Sequence, residues 1–222
     1  MLLDAFRDAR ALLFPVDCAG CGAHDRPLCD SCRALVNPAV TPRPTRGGLV
    51  VHTALRYEAE VRRIVLAFKE EGRTDLARPL GRALGAAVER AGEAADAVVV
   101  PVPTSRESYR ERGFDPLRLL VRRAGIPHER LLVVARATRA QKALGLQERS
   151  LNLRGALAAR GSLAGRSVVL VDDILTTGAT LDEATRAVIE AGGQVVGAAT
   201  LAFTPRLLAD RDNAQGKDYG GA

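Results

Sequence analysis

A chain of 222 residues, 47% of them hydrophobic, can bury one good-sized α/β core and a small appendage, but not two large domains. No run of about eighteen apolar residues occurs, so a membrane span is not expected. The opening residues meet Asp4, Arg7, Asp8 and Arg10 too soon for a secretory signal, which makes a cytoplasmic protein the default expectation. The formal charge of +6 is carried almost wholly by arginine, since only Lys69, Lys142 and Lys217 are lysines. Such a chain suits nucleic acid, phosphorylated metabolites or an anionic surface. The arginines are spread along the whole chain and do not choose among these.

In chain order, Leu2, Leu3, Phe6, Leu12 and Leu13 recur at roughly helical spacing until Pro15 stops the pattern. The four cysteines follow between Cys18 and Cys32. The Pro-, Gly- and Thr-rich stretch Asn37–Gly48 reads as a linker and sets a first boundary, with residues 1–46 as an N-terminal unit. Leu49–Tyr57 then reads as a strand, Glu60–Glu70 and Leu76–Gly92 as helices, and Asp96–Pro103 as a buried strand ending at a polar turn. A helix over Asp115–Arg123 and a strand over Arg130–Arg136 come next. Ser167–Asp173 is a strand, Thr180–Ala191 a helix and Gln194–Phe203 a final strand. Strands alternating with helices predict an α/β domain over residues 47–203, with a mainly parallel sheet covered on both faces. The polar tail, 204–222, is expected to fray.

The cysteines are spaced Cys18-x2-Cys21-x7-Cys29-x2-Cys32. Two Cys-x2-Cys knuckles in so short a segment supply four thiolates for a tetrahedral zinc ion. The intervening residues, including Gly20, Gly22 and Pro27, have little core of their own, so metal binding would supply the stability. Zinc as a structural staple is favoured; disulfides or an iron–sulfur cluster are the alternatives. His24 lies within the loop and is read as a bystander.

The most specific string is SVVLVDDILTTGATL, Ser167–Leu181. An apolar run ends in Asp172 and Asp173, where ligands of open α/β sheets bind, beyond the carboxyl ends of strands. The following turn offers backbone amides and the hydroxyls of Thr176, Thr177 and Thr180, while Gly178 and Ala179 permit close approach of a ligand. Amides at a helix N-terminus cradle phosphate. Carboxylates beside such a cradle would repel bare phosphate, so they are expected to face something else, such as vicinal hydroxyls. The combination points to a sugar phosphate. Thr and Asp also cap helices, but capping needs one such residue and not this whole string.

VVLVDDILTTGAT resembles the PRPP-binding signature of type I phosphoribosyltransferases. The resemblance implies that Asp172 and Asp173 contact the ribose hydroxyls and that Thr176 to Thr180 bind the 5-phosphate. Further pieces resemble the ComF family, whose name comes from competence for DNA uptake. They are VVVPVPTSR (Val98–Arg106), RERGFDP (Arg110–Pro116), the Ala135–Leu157 segment, and RYEAEVRRIVLAFKEEG (Arg56–Gly72). With the cysteines, the likeness covers about residues 10–203 in order. Asp115-Pro116 stands where the family has Asn-Gln, which puts any role for that amide pair in doubt.

After Pro103, Thr104, Ser105 and Arg106 offer amides, two hydroxyls and a guanidinium suited to pyrophosphate, and Arg112 could pair bidentately with phosphate oxygens. The resemblance implies a zinc-ribbon-like N-terminal unit on a type I phosphoribosyltransferase-like fold. It adds Arg136 to the acids as a catalytic candidate, and Gln141 and Lys69 as substrate contacts. The polar residues from Arg136 to Arg149 would suit a lid that shields the reacting sugar from water.

The implied activity is transfer of a phosphoribosyl group from PRPP, with magnesium accompanying PRPP, pyrophosphate leaving and the acceptor open. The alternative is a PRPP or nucleotide sensor, or a competence component contacting single-stranded DNA or a protein of that machinery. Five Phe, three Tyr and no Trp leave few platforms for base stacking.

Overall fold

The computed structural model describes residues 16–92, 96–136 and 153–205, with nothing stated for the side chain of Arg106. The N-terminal helical pattern, Gln141 with most of the lid segment, and the tail beyond Pro205 lie outside these residues. The elements are α1 (Asp30–Leu35), β1 (Thr41–Pro44), β2 (Val50–Arg56), α2 (Ala59–Glu70), a 3-10 turn (Thr74–Leu76) and α3 (Ala77–Gly92). They continue with β3 (Val98–Pro101), α4 (Arg106–Arg112), α5 (Pro116–Arg123), β4 (Leu132–Val134), β5 (Leu157–Ala159), β6 (Ser167–Leu175), α6 (Ala179–Glu190) and β7 (Gln194–Phe203).

The main sheet has the order β1-β2-β7-β6-β3. Its inner strands run parallel, and β1 alone is antiparallel, paired with β2 through Thr41–Thr53 to Pro44–Val50. The continuous apolar run Val168–Val171 is 0–1% exposed, as a strand covered on both faces requires. One core cluster gathers α2, α3 and α5 with Val171 and Leu201. The other gathers α6 with Val51, Val168 and Leu170. The expected α/β fold and mainly parallel sheet are therefore present. No helix among the described residues is long and apolar enough to cross a membrane.

Three expectations need correction. The Asn37–Gly48 linker contains β1, whose two prolines suit an edge strand that need not donate every ladder bond; the 46/47 boundary falls in the turn of a hairpin. The strand near Arg130–Arg136 does not join the main sheet but pairs as β4 with β5 in a separate antiparallel ribbon. The stretch after Pro103 is not wholly loop: Ser105 accepts a hydrogen bond from the Ser108 amide and starts α4.

The N-terminal unit shares the main core. Cys18, Leu28, Cys32 and Val36 pack in the same cluster as Ile64, Val65 and Phe68 of α2. Close packing also explains Gly197 on β7, where an added Cβ would stand 2.5 Å from the Ala91 carbonyl oxygen of α3. Gly197→Ala should therefore lower the unfolding free energy by roughly 1–3 kcal/mol in urea denaturation, because backbone cannot yield as a side-chain tip can.

Candidate functional site

Asp172 and Asp173 lie near the carboxyl end of β6, just past its pairing with β3, and the strand does not stop at them as expected but runs on beside β7 through Ile174 and Leu175. The Asp173 amide donates to Asp172 Oδ1 at 2.8 Å, turning one carboxylate back along the strand. The other meets a cation: Lys69 Nζ lies 2.6 Å from Asp173 Oδ2, with the two side chains only 14% and 27% exposed. Lys69 is thus paired and largely buried, although it sits at the end of a helix. It stands in the last turn of α2, whose apolar face (Ile64, Val65, Phe68) is completely buried. Burial, and then the neighbouring Asp173 charge, push the Asp172 carboxyl up to about 7, against the opposing pull of Lys69.

The sheet register sets Thr200 of β7 beside Asp172, and Thr53 of β2 beside Thr200. Thr200 is fully buried, and its hydroxyl has no partner among the described residues. No pattern along β7 marks it, because its significance lies in the neighbouring strand.

Beyond β6, Gly178 adopts the left-handed conformation (φ 83°) and is the N-cap of α6. The acids therefore do not cap this helix, and capping does not explain them. Thr177 Oγ1 accepts a hydrogen bond from the Ala179 amide at 3.3 Å, Thr176 is exposed, and Thr180 lies in the first turn of the helix. Gly178 is needed for a second reason: an added Cβ would meet the Thr45 methyl carbon at 2.7 Å.

Thr45 belongs to the β1–β2 turn, which is clamped to α6. Its hydroxyl donates to Asp182 Oδ1 at 2.5 Å, and the Gly47 amide reaches Asp182 Oδ2 at 3.3 Å. Arg46 in that turn joins Arg154 and Arg186 around a cleft of about 380 Å³ that includes Thr177 and Ala179. Arg186 is engaged by Glu183 and Glu190, which leaves Arg46 and Arg154 without an ion pair among the described residues. The clamp was not legible in the sequence because its partners stand 135 or more residues apart.

On the other flank, the Val102 amide donates to the Val171 carbonyl, so Thr104 and Ser105 emerge one step beyond the acids. Ser105 is committed to capping α4. Arg112 does not stand open to a ligand as expected. Its guanidinium forks onto Glu70, with Nε–Oε2 at 3.1 Å and Nη2–Oε1 at 2.8 Å. Arg136 is exposed at the margin of the described residues, its guanidinium 3.5 Å from the Arg154 carbonyl.

The four cysteine sulfurs lie within 4.8 Å of one another, and those of Cys21 and Cys29 are 3.6 Å apart. Zinc–thiolate bonds of about 2.3 Å at the tetrahedral angle place sulfurs roughly 3.8 Å apart, so the cluster fits zinc. No two of the four are joined by a disulfide in this arrangement. Amides of Cys29 and Cys32 point at Cys18 Sγ and Cys29 Sγ. Burial raises Cys18, but the backbone N–H groups of Cys29, Cys21 and Gly20 outweigh it and bring the thiol down to about 6; burial and the neighbouring sulfurs drive Cys32 far up. A divalent ion removes that conflict by stabilising every thiolate at once. His24 pairs with Asp17 at 2.8 Å on the surface, as a bystander should.

Arg63 and Arg73 fasten the unit to the main domain. Arg63 donates to the Gly20 carbonyl at 2.5 Å, and Arg73 to those of Asp17 and Pro27 at 3.2 and 3.3 Å.

Compared with known proteins, residues 86–218, more than half of the chain, match the family model described as phosphoribosyl transferase domain. Competence protein ComFC of Bacillus subtilis (strain 168) is 35% identical over 96 residues, 43% of this chain and 39% of that protein. An orotate phosphoribosyltransferase of Pyrobaculum calidifontis is 49% identical over 53 residues, 24% of this chain and 27% of that protein. Each match thus spans well under half of the curated relative. Among solved structures, an adenine phosphoribosyltransferase is similar with a TM-score of 0.39 and 17% identity, covering 77% of this chain and 88% of that one. The adenine enzyme from Saccharomyces cerevisiae gives 0.37 and 16%, covering 74% and 83%.

Two outcomes follow from the geometry. Metal analysis should find one zinc per chain, and its removal by a chelator should lower the melting temperature by about 5 °C or more, each kcal/mol being worth roughly 2–4 °C at this size. The raised Asp172 carboxyl makes its ionised form a cost to the fold, present above pH 7 and relieved as pH falls through about 7 toward the ordinary value of 3.8. Asp172→Asn should therefore raise the melting temperature at pH 8 and leave it nearly unchanged at pH 4.

Proposed function

The chain belongs to the phosphoribosyl transferase domain family, as a ComF-like member with an N-terminal four-cysteine unit, and we propose that it binds PRPP and transfers the phosphoribosyl group with loss of pyrophosphate. The observation that carries this reading is the succession at the end of β6: two carboxylates, then a glycine-hinged threonine turn opening a twelve-residue helix. Carboxylates accept hydrogen bonds from vicinal hydroxyls, and first-turn amides with the helix dipole favour phosphate. One ligand with a diol at one end and a phosphate at the other satisfies both.

In this proposal Asp172 and Asp173 hold the ribose hydroxyls, and Thr176, Thr177, Gly178, Ala179 and Thr180 cradle the 5-phosphate. Thr104, Ser105 and Arg106 face the departing pyrophosphate. Arg136 and Gln141 belong to the covering segment, and Lys69 meets the sugar beside Asp173. Arg112 enters only if a ligand draws it from Glu70. Catalysis would rest on positioning and electrostatic stabilisation of charge developing on sugar and pyrophosphate. No single general base is assigned, and the acceptor is left open.

Magnesium fits this site only as the companion of PRPP. One oxygen of Asp172 is taken by an amide and one of Asp173 by Lys69, so the ion would be held chiefly by pyrophosphate oxygens and water. Zinc would be structural, since four cysteines leave no coordination position for a substrate. A cytoplasmic setting and, by likeness to ComFC, a part in DNA uptake complete the proposal.

A second reading has its own observation. Arg33, Arg78 and Arg82 line a cleft of about 330 Å³ between the cysteine unit and α3, with no ion pair among the described residues. That cleft favours a polyanion such as single-stranded DNA, with the PRPP site kept as a sensor.

Calorimetry with PRPP and magnesium should give a saturable site in the wild type, and Asp173→Asn should weaken it at least about a hundredfold, as losing a charge-assisted pair of hydrogen bonds does. Equal affinity in the two proteins would sink the assignment. Release of pyrophosphate with a panel of nitrogenous bases and amines would favour the transferase; PRPP binding without release, with salt-dependent binding of an oligonucleotide, would favour the sensor.

A further inference from the structure

Asp172 and Asp173 are a pair of carboxylates at a strand end, a place where a divalent cation would ordinarily be expected to settle. The geometry points to a different occupant: Lys69 is the resident cation of this acid pair, and it reserves the pair for a sugar diol by excluding a divalent ion. This inference deepens the PRPP reading by naming what sets the specificity of the same acids.

The ammonium is a built feature and not a passing surface contact. Lys69 Nζ lies 2.6 Å from Asp173 Oδ2 with 14% of its side chain exposed. The helix that carries it cannot drift away. Its face is buried through Ile64, Val65 and Phe68, and at its middle Arg63 and Ile64 bear on Gly20 of the cysteine unit. At its end the next residue, Glu70, is locked by the Arg112 fork, and Phe68 meets Phe114 edge to face with ring centroids 5.9 Å apart.

The remaining donors are too few for a hard cation. Magnesium and its relatives require about six oxygens in near-octahedral geometry. Here the Asp173 amide consumes one carboxylate oxygen and the ammonium another. Among the described residues, the only group of three or more His, Cys, Asp or Glu side chains arranged to hold a metal is the cysteine cluster. A divalent ion at the acids would also sit within a few ångströms of a fixed positive charge in a partly dehydrated setting, where repulsion is poorly screened. A neutral cis-diol meets no such repulsion. Its hydroxyls donate to the free carboxylate oxygens, and the ammonium can donate to a sugar oxygen in turn.

The test titrates manganese(II), as a probe for magnesium, into the zinc-loaded full chain without PRPP, followed by electron paramagnetic resonance. The wild type and Lys69→Arg should take up no manganese at sub-millimolar concentration. Lys69→Gln should bind one ion at least about tenfold more tightly than the wild type, and adding Asp173→Asn to that variant should abolish the gain. The inference is overturned if Lys69→Gln shows no gain, or if its gain survives loss of Asp173. Should Lys69→Gln fail to fold, Lys69→Met takes its place with the same expected gain, and sub-millimolar uptake by the wild type that Asp173→Asn abolishes overturns the inference in either case. The two readings fail separately. A wild type that does not bind PRPP removes the transferase proposal and leaves the manganese result standing; equal manganese uptake with and without the lysine removes the present inference and leaves PRPP binding intact.

Discussion

Two carboxylates cannot stand side by side at the end of a strand buried over Val168–Val171 without something to offset their charge. Around Asp172 and Asp173 the offset comes from one amide, one ammonium and a raised carboxyl that shares the burden by holding its proton longer. Much of the surrounding architecture serves to deliver that ammonium. α2 is held against the sheet by a fully buried face, and its last turn ends where β6 ends. A lysine at that point therefore meets an acid on a different element more than a hundred residues away.

The cysteine unit belongs to the same arrangement. Its buried residues are continuous with the core around α2, and its carbonyls accept from Arg63 and Arg73. So small a segment has too little apolar surface to order itself, and a metal that draws four thiolates together would supply the missing stability. Through α2, order in that unit and the position of Lys69 become parts of one packing problem.

The opposite side of the site is organised by polar clamps. Asp182 draws the β1–β2 turn onto the start of α6, and Gly178 is the one residue that leaves room for Thr45 there. Glu183, buried and bonded to the Leu157 amide and to Arg186, ties the β4–β5 ribbon to the same helix. The threonine turn is thereby flanked by a hairpin and a ribbon, each fastened to the helix whose N-terminus it opens.

The local sequence determined the elements and their chemistry wherever neighbours along the chain decide the outcome. Val168–Val171 had to be an interior strand and Gly178 had to mark the turn, although the strand runs on past Asp172 and Asp173 to Leu175. The cysteine spacing sufficed to bring four sulfurs together. What it could not disclose were relations between distant residues: Lys69 against Asp173, Arg112 spent on Glu70, Thr45 on Asp182, and prolines of a supposed linker forming an edge strand. Each depends on which elements the fold sets side by side, and a side chain's charge and reach are indifferent to sequence distance. The sequence therefore specified the acids and the threonine turn, while only the tertiary structure decided which cation already stands among them.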